Sequence, residues 1–293
     1  MNTITHIPVL LEECLELLHP QKGDVFFDGT LGGGGHAIEI LTKISPSGKY
    51  IATDLDNQTI DRTLARLAEY KNISVHNTSF KNIIDVAEKE KIVSFNKILL
   101  DLGWNSDQFK DELRGFSFLG ETLDMRYDTE GEVTAYDIVN DWSYDTLVTL
   151  FKAYGEESHA RKIAYRITEE RKLQKFISSK QLAEFIEIVI PRRGKKIHPA
   201  TKVFQALRIT VNNELGDVEE FLQNVLRVTQ KGTRIGIITF HSLEDRIVKN
   251  FMRDLIKDGK AIDINYKGAT ASDEELLRNP RSRSARLRVI EII

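Results

Sequence analysis

Between Val25 and Asp101, short runs of β-branched and aromatic residues alternate with longer amphipathic ones. They read "VFFD", a glycine turn, "HAIEILTKI", "KYIATD", "NQTIDRTLARLAEY", "ISVHN", "FKNIIDVAEKE" and "FNKILLD". Short apolar runs bounded by turn signals predict buried strands, and the longer runs carry the three-to-four spacing of helices. Their strict alternation predicts a doubly wound parallel sheet. "RIGIITF", Arg234 to Phe240, followed by "SLEDRIVKNFMRDLI", predicts one more strand–helix unit, and the tail "RVIEII" a last strand.

Residues 110–212 lack a strand pattern. They contain the helical segments "SYDTLVTLFKAY", "EESHARKIAYRITEERKL", "SSKQLAEFIEIVI" and "ATKVFQALRITVNNEL". The pattern therefore predicts a helical insertion, 110–212, inside one α/β domain made of 1–109 and 213–293. Ser143 and Ser179 are the expected N-caps, and Pro191 with Gly194 punctuates the helices.

The stretch "FFDGTLGGGGHAIEIL", Phe26 to Leu41, places four consecutive glycines between a strand and a helix. Gly32, Gly34 and Ala37 satisfy the dinucleotide fingerprint, and Asp54 ends the next strand, where a ribose-binding acid belongs. Glycines in such a turn can also serve close packing alone. Asp28 bears on the ligand: a carboxylate ending the first strand repels a pyrophosphate but suits a cation such as the ammonium and sulfonium of S-adenosylmethionine. Asp101, ending the fourth strand in "KILLDLGWNSDQF", adds a second carboxylate at the same edge.

The chain has 293 residues, one cysteine and a formal net charge of -3. A lone Cys14, in the helical "VLLEECLELL", excludes an intramolecular disulfide and a multi-cysteine zinc site. With so little net charge, nucleic-acid binding must come from local patches. Two runs qualify. "PRRGKKIHPATKVFQALR" gathers Arg192, Arg193, Lys195, Lys196, Lys202 and Arg208, and "RNPRSRSARLR" gathers Arg278, Arg281, Arg283, Arg286 and Arg288. No apolar run has bilayer length and the first residues lack a signal-type pattern, so a cytoplasmic location without a membrane partner is expected.

Several motifs, "HIPVLLEECLELL", "DGTLGGGGHAIEIL", "DLDNQTI", "LLDLGWNSDQF", "RGFSF", "LDMRYD", "YGEE", "HPATKVFQALRITVNNEL", "FHSLEDRIVKNFM" and "NPRSRSARLR", together resemble the bacterial ribosomal RNA small-subunit methyltransferase H family, also called MraW. The resemblance runs from His6 to Arg288. It implies a Rossmann-like class I S-adenosylmethionine-dependent methyltransferase sheet and methylation of the exocyclic N4 of a decoding-centre cytosine in 16S rRNA. By position it implies cofactor contacts from Gly34, Gly35, His36, Asp54, Phe80, Asp101 and Gln108, with the helical insertion recognising the RNA substrate.

An exocyclic cytosine amine is a poor nucleophile because its lone pair is delocalised into the ring. It needs alignment and a proton acceptor. Asp101, Asn105 and Ser106, or backbone carbonyls of "DLGWNS", are the candidates to accept hydrogen bonds from the amine, with Trp104 or a nearby aromatic to stack on the extruded base. The run Trp104-Asn105-Ser106-Asp107 departs from the family's usual valine, two serines and proline, Thr122 replaces a usual proline, and the stretch before "NPRSRS" is short. "EESHA" lacks the spacing of a zinc helix and no metal is expected. "FHSLEDR" lacks a nucleophile elbow, so Ser242 is expected as an N-cap with Glu244 and Asp245 in the first helical turn. The rival readings are an NAD(P)-dependent oxidoreductase and an RNA-binding assembly factor that has lost activity. A homodimer is carried as an expectation, the sequence itself leaving the oligomeric state open.

Overall fold

The computed structural model describes residues 7–103, 112–128, 131–192, 194, 197–265 and 267–293. The chain divides into two units, Met1–Gly103 with Leu215–Ile293, and Trp104–Glu214.

The first unit opens with α1 (Leu11–Leu18) and then alternates β1 (Val25–Asp28), α2 (Gly35–Ile44), β2 (Lys49–Asp54), α3 (Asn57–Arg66), β3 (Ile73–Asn77), α4 (Ile83–Lys89) and β4 (Phe95–Asp101). Its strands pair in the order β3-β2-β1-β4, all parallel. The second unit follows with α5 (Ala135–Asp141), α6 (Tyr144–Ala153), α7 (Ala160–Glu170), α8 (Ser179–Val189) and α9 (Thr201–Val211). From Leu215 the chain is again in the first unit, with α10 (Glu214–Asn224), β5 (Thr229–Thr239), α11 (Ser242–Lys257), β6 (Ala261–Asp263), α12 (Asp273–Arg278) and β7 (Arg286–Ile292). β5 joins beside β4 in parallel, and β7 and β6 complete a seven-stranded sheet in antiparallel pairing. The strand order reverses between β1 and β4. In open sheets that is where the carboxyl ends part to leave a ligand crevice.

Side chains alternate across the strands and divide between two buried layers. Phe27, Ile98, Leu100, Ile235 and Ile237 pack with Val86, Phe221 and Val248 on one face, and Phe26, Tyr50, Leu99 and Ile238 with Cys14, Leu18 and Leu41 on the other. Each fully buried Phe, Leu or Ile contributes roughly 1.5–3 kcal/mol relative to exposure, so these layers dominate the sheet's stability. α1 lies close enough that a side chain on Gly236 would meet Leu18 at 3.0 Å. Cys14 is buried there, and burial pushes its thiol well above the usual range.

The second unit has its own core, built from Leu147, Phe151, Ile163, Ile167, Leu182, Ile186, Val203 and Leu207. No strand occurs among its described residues. Helix starts follow local capping chemistry. Ser143 caps α6 as expected, its hydroxyl accepting from Thr146 N, whereas α8 is capped by Ser178 accepting from Gln181 N. Ser179 instead turns inward and donates to the Gly115 carbonyl. α5, which the sequence pattern did not predict, starts at a reciprocal Thr134–Asp137 capping box.

Candidate functional site

Because β1, β2 and β4 run parallel, their last residues, Asp28, Asp54 and Asp101, come to one edge of the sheet. The loop from Gly29 to Gly34 lies at this edge and feeds α2. Gly29 N donates to Leu99 O at 2.9 Å, Leu31 N to Thr53 O at 3.0 Å, and the Thr53 hydroxyl returns to Gly29 O at 2.8 Å. The Thr30 hydroxyl accepts from Asp101 N at 2.7 Å, so the loop is stitched to both flanking strands.

The glycines divide by task. A side chain on Gly29 would stand 2.1 Å from Leu100 Cδ2 and 2.7 Å from Phe80 Cβ, and one on Gly35 would stand 3.0 Å from Pro8. Gly34 has φ +73°, a left-handed conformation, and is pressed against Thr63. Packing thus requires these three. At Gly32, also left-handed at φ +49°, an added carbon would meet only Thr30 O at 3.8 Å, so backbone is open there to a close ligand.

The three carboxylates differ in what they present. Asp28 is buried, with Oδ1 accepting from Thr30 N at 3.0 Å and Oδ2 from the Tyr50 hydroxyl. Burial pushes its carboxyl up, against those two hydrogen bonds. Both Asp28 oxygens thus brace the site from within, one on the loop and one on β2. Asp54 accepts Gly32 N on Oδ2 and Asp56 N on Oδ1, both at 2.9 Å, and burial raises its carboxyl too. A carboxylate offers about four acceptor sites, so capacity remains for a ligand hydroxyl. Asp101 accepts Gly103 N on Oδ1 at 3.0 Å, and its Oδ2 stands 3.9 Å from His36 Nδ1.

His36, in the first turn of α2, is buried and contacts Val9 O through Nε2 at 3.0 Å. Burial lowers its basicity, opposed mainly by the Asp28 charge. The neutral ring donates from Nε2 to that carbonyl and so turns an acceptor, Nδ1, toward Asp101. Two acceptors at this separation suit a donor such as an ammonium group.

Phe80 follows the Ser79 cap of a 3-10 turn after β3 and is half-buried, meeting Phe221 edge-on at 5.8 Å. Its approach to Gly29 brings it beside the loop. His36, Asp54, Phe80, Asp101, Gly34 and Gly35 are therefore assembled at one sheet edge. This donor set fits S-adenosylmethionine: acceptors for an ammonium and a ribose, an aromatic face, and a helix N-terminus whose polarity favours a carboxylate. Trp104, Asn105, Ser106 and Gln108 lie outside the described residues.

The basic runs are sorted by burial. Arg208 is buried in an ion pair with Glu214, at 2.7 Å from Nε and 2.8 Å from Nη2, so it is corrected from a phosphate contact to a structural cation. Arg288 holds Asp245 through Nε at 2.7 Å and Nη2 at 3.1 Å, and Arg286 donates to Lys267 O. Arg281 and Arg283 are exposed and have no protein partner among the described residues, while exposed Arg278 pairs with Glu274 and Arg192 with Glu187. Lys202 donates to Glu156 O. Arg193, Lys195 and Lys196 lie outside the described residues. In "FHSLEDR" the N-cap is His241, not Ser242: Nδ1 accepts from Glu244 N, and Glu244 Oε2 accepts from Phe240 N at 2.7 Å.

Sequence reasoning missed Thr30, Thr63, Arg66 and the segment Ile7–Leu10. Thr63 donates to Gly32 O at 2.8 Å and Arg66 to Gly33 O at 2.5 Å, holding the loop from α3. Their spacing from the glycines follows no motif. Pro8 and Val9 stand in the quoted "HIPVLLEECLELL", yet their contact with Gly35 and His36 appears only in three dimensions.

Among the described residues no helix is long and apolar enough to cross a membrane. The MraW methylase family model matches residues 3–293. A protein of Clostridioides difficile (strain 630) named "Ribosomal RNA small subunit methyltransferase H" is 39% identical over 307 residues, covering 98% of this chain and 99% of that protein. A protein of the same name from Sulfurihydrogenibium sp. (strain YO3AOP1) is 45% identical over 291 residues, covering 98% of each. Among solved structures, an rRNA methylase from Streptococcus thermophilus shares 9% identity at a TM-score of 0.46, covering 99% of each chain.

Proposed function

The chain belongs to the MraW methylase family, and from that premise we propose that it methylates the exocyclic N4 of a decoding-centre cytosine in 16S rRNA of the small ribosomal subunit. Its cofactor, S-adenosylmethionine, supplies when bound an electrophilic methyl group on a sulfonium. The observation that carries the reading is the convergence of Asp54, His36, Asp101 and Phe80 on the sheet edge where the strand order reverses.

In this reading the remaining acceptor capacity of the Asp54 carboxylate serves the ribose hydroxyls. The loop at Gly34 and Gly35 and the first turn of α2 receive the carboxylate, and His36 Nδ1 with Asp101 receives the ammonium. Phe80 flanks the adenine and Gln108 completes the cofactor contacts. Asp101, Asn105 and Ser106 accept hydrogen bonds from the cytosine amine and align its lone pair, and the Asp101 carboxylate, the one base of the three, takes up the proton as the bond forms. Phosphate contacts come from Arg192, Arg193, Lys195, Lys196 and Lys202 in the helical unit, the substrate-recognition domain, and from Arg278, Arg281 and Arg283. The reaction is assigned to the cytoplasm. The expected homodimer is tested by sedimentation equilibrium.

The test is incubation with labelled S-adenosylmethionine and small subunits lacking the modification, with the label located by nuclease digestion and mass spectrometry. The expected product is N4-methylcytidine at one decoding-centre position. Cofactor binding without any label would sink the assignment. Asp101→Ala and Asn105→Ala variants that bind cofactor and RNA normally, yet methylate at full rate, would remove those residues from the amine-accepting role.

A further inference from the structure

Residues Ile7–Leu10 form a strap across the start of α2. Pro8 packs where a side chain on Gly35 would be, and Val9 O receives the His36 Nε2 proton at 3.0 Å. The strap is anchored from the far end of the chain. Asn279 Nδ2 donates to Ile7 O at 3.1 Å, and Leu10 N donates to Glu275 Oε1 at 2.9 Å. Both anchors belong to one turn, since Asn279 N donates to Glu275 O at 2.6 Å, and Asn279 is itself buried.

Leu10 is fully buried with φ 53° and ψ 38°, a left-handed conformation that is unfavourable for a residue with a branched side chain. It persists because its surroundings fix it: Glu275 holds its amide, and its carbonyl accepts from Cys14 N at 2.9 Å. The carbonyl of Val9, one residue earlier, is thereby aimed at His36.

We propose that Glu275 and Asn279 are positioning residues for cofactor binding. Through the strap they fix the Val9 carbonyl, which holds the His36 ring in the tautomer that turns Nδ1 toward Asp101. The inference rests on the cofactor reading of that edge. Glu275 never contacts the ligand in it and acts through the backbone of Ile7–Leu10, while its charge also favours the protonated His36 ring.

The test uses the full chain and S-adenosylhomocysteine, with Glu275→Ala, Glu275→Gln and Asn279→Ala. Losing one tethering hydrogen bond is expected to raise Kd in calorimetry about tenfold in each alanine variant. KM for the methyl donor should rise in parallel, with kcat at saturating donor changed less than about twofold. Glu275→Gln keeps an Oε1 acceptor and is expected to restore wild-type affinity. Nitrogen-15 spectra of labelled histidine should show His36 protonated at Nε2 in the wild type and a tautomer mixture in the alanine variants. Folded alanine variants with wild-type Kd and an unchanged tautomer would overturn the proposal, as would Glu275→Gln behaving like Glu275→Ala. If Glu275→Ala does not fold, Asn279→Ala and Glu275→Gln decide by the same readouts. Failure of the wild-type chain to bind would overturn the cofactor reading itself, a result separable from wild-type binding that survives the alanine variants.

Discussion

A methyl group on Gly34 would stand 2.6 Å from Cγ2 of Thr63, whose hydroxyl donates to Gly32 O at 2.8 Å. The glycine turn is thus shaped against α3 as much as against any ligand. Gly34→Ala meets two penalties: a left-handed backbone, about 1–2 kcal/mol, and overpacking, about 1–3 kcal/mol. Urea unfolding should show a loss of about 2–5 kcal/mol. Thr63→Ser keeps the donor and removes the methyl, so adding it to Gly34→Ala should recover the overpacking part only. Simple additivity of the two changes would show that the contact is not the cause.

His36 makes a pH prediction with a defined sign. Burial lowers its native pKa below the unfolded value of about 6.5, so within that window the unfolded chain binds more protons and stability rises with pH. The contribution is complete above about pH 6.5 and is lost as pH falls toward the lowered native value. Asp28 and Asp54, raised by burial, act oppositely from about 3.8 upward, since protonation relieves their cost. Comparing wild type with His36→Gln isolates the histidine: between about pH 7.5 and 5.5 the wild type should lose more stability. Equal losses would mean that His36 charges freely in the native state.

Arg208 and Arg281 should separate stability from RNA affinity. Arg208 is buried against Glu214, which also accepts the Tyr127 hydroxyl at 3.1 Å. Arg208→Ala leaves the half-buried Glu214 carboxylate without its cation and should cost about 3–5 kcal/mol in denaturant titration. Arg281→Gln, at an exposed site, should change stability by less than about 0.5 kcal/mol. A mild effect at Arg208 would return it to the phosphate-contact candidates.

RNA binding should follow the free cations rather than the whole of each run. Removing two phosphate contacts with Arg281→Gln and Arg283→Gln should flatten the slope of log affinity against log salt by about 1.5. Filter binding across a salt series measures this. Arg288, committed to Asp245, would be a poor third site because its loss also breaks that pair. An unchanged slope in the double variant would place the phosphates elsewhere.

Much of the sheet was legible because each strand is a short apolar run ended by an acid or a turn. β2 and β3 match "KYIATD" and "ISVHN" residue for residue. α5 escaped because its apolar positions are few and its start depends on Thr134 and Asp137 binding each other. β6 and α12 escaped because "AID" and "DEELLR" are too short to show a period. Caps slipped by one residue where two candidates adjoin, as at Ser178 and Ser179, since backbone geometry and not residue type selects between them. At the site, the acids and glycines were visible as types at strand ends. Whether an acid faces inward, as Asp28 does toward Tyr50, or an arginine is spent on a partner, as Arg208 is, depends on contacts that no spacing encodes.

The strap also sets an order of events during synthesis. Leu10 and Glu275 are 265 positions apart, so at about 5–20 residues per second the amide emerges on the order of 10 to 50 s before its acceptor. Until then nothing from the C-terminal turn restrains the first residues. Until Glu275 and Asn279 are made the glycine loop lacks its clasp, so the site matures only after both have been added to the chain.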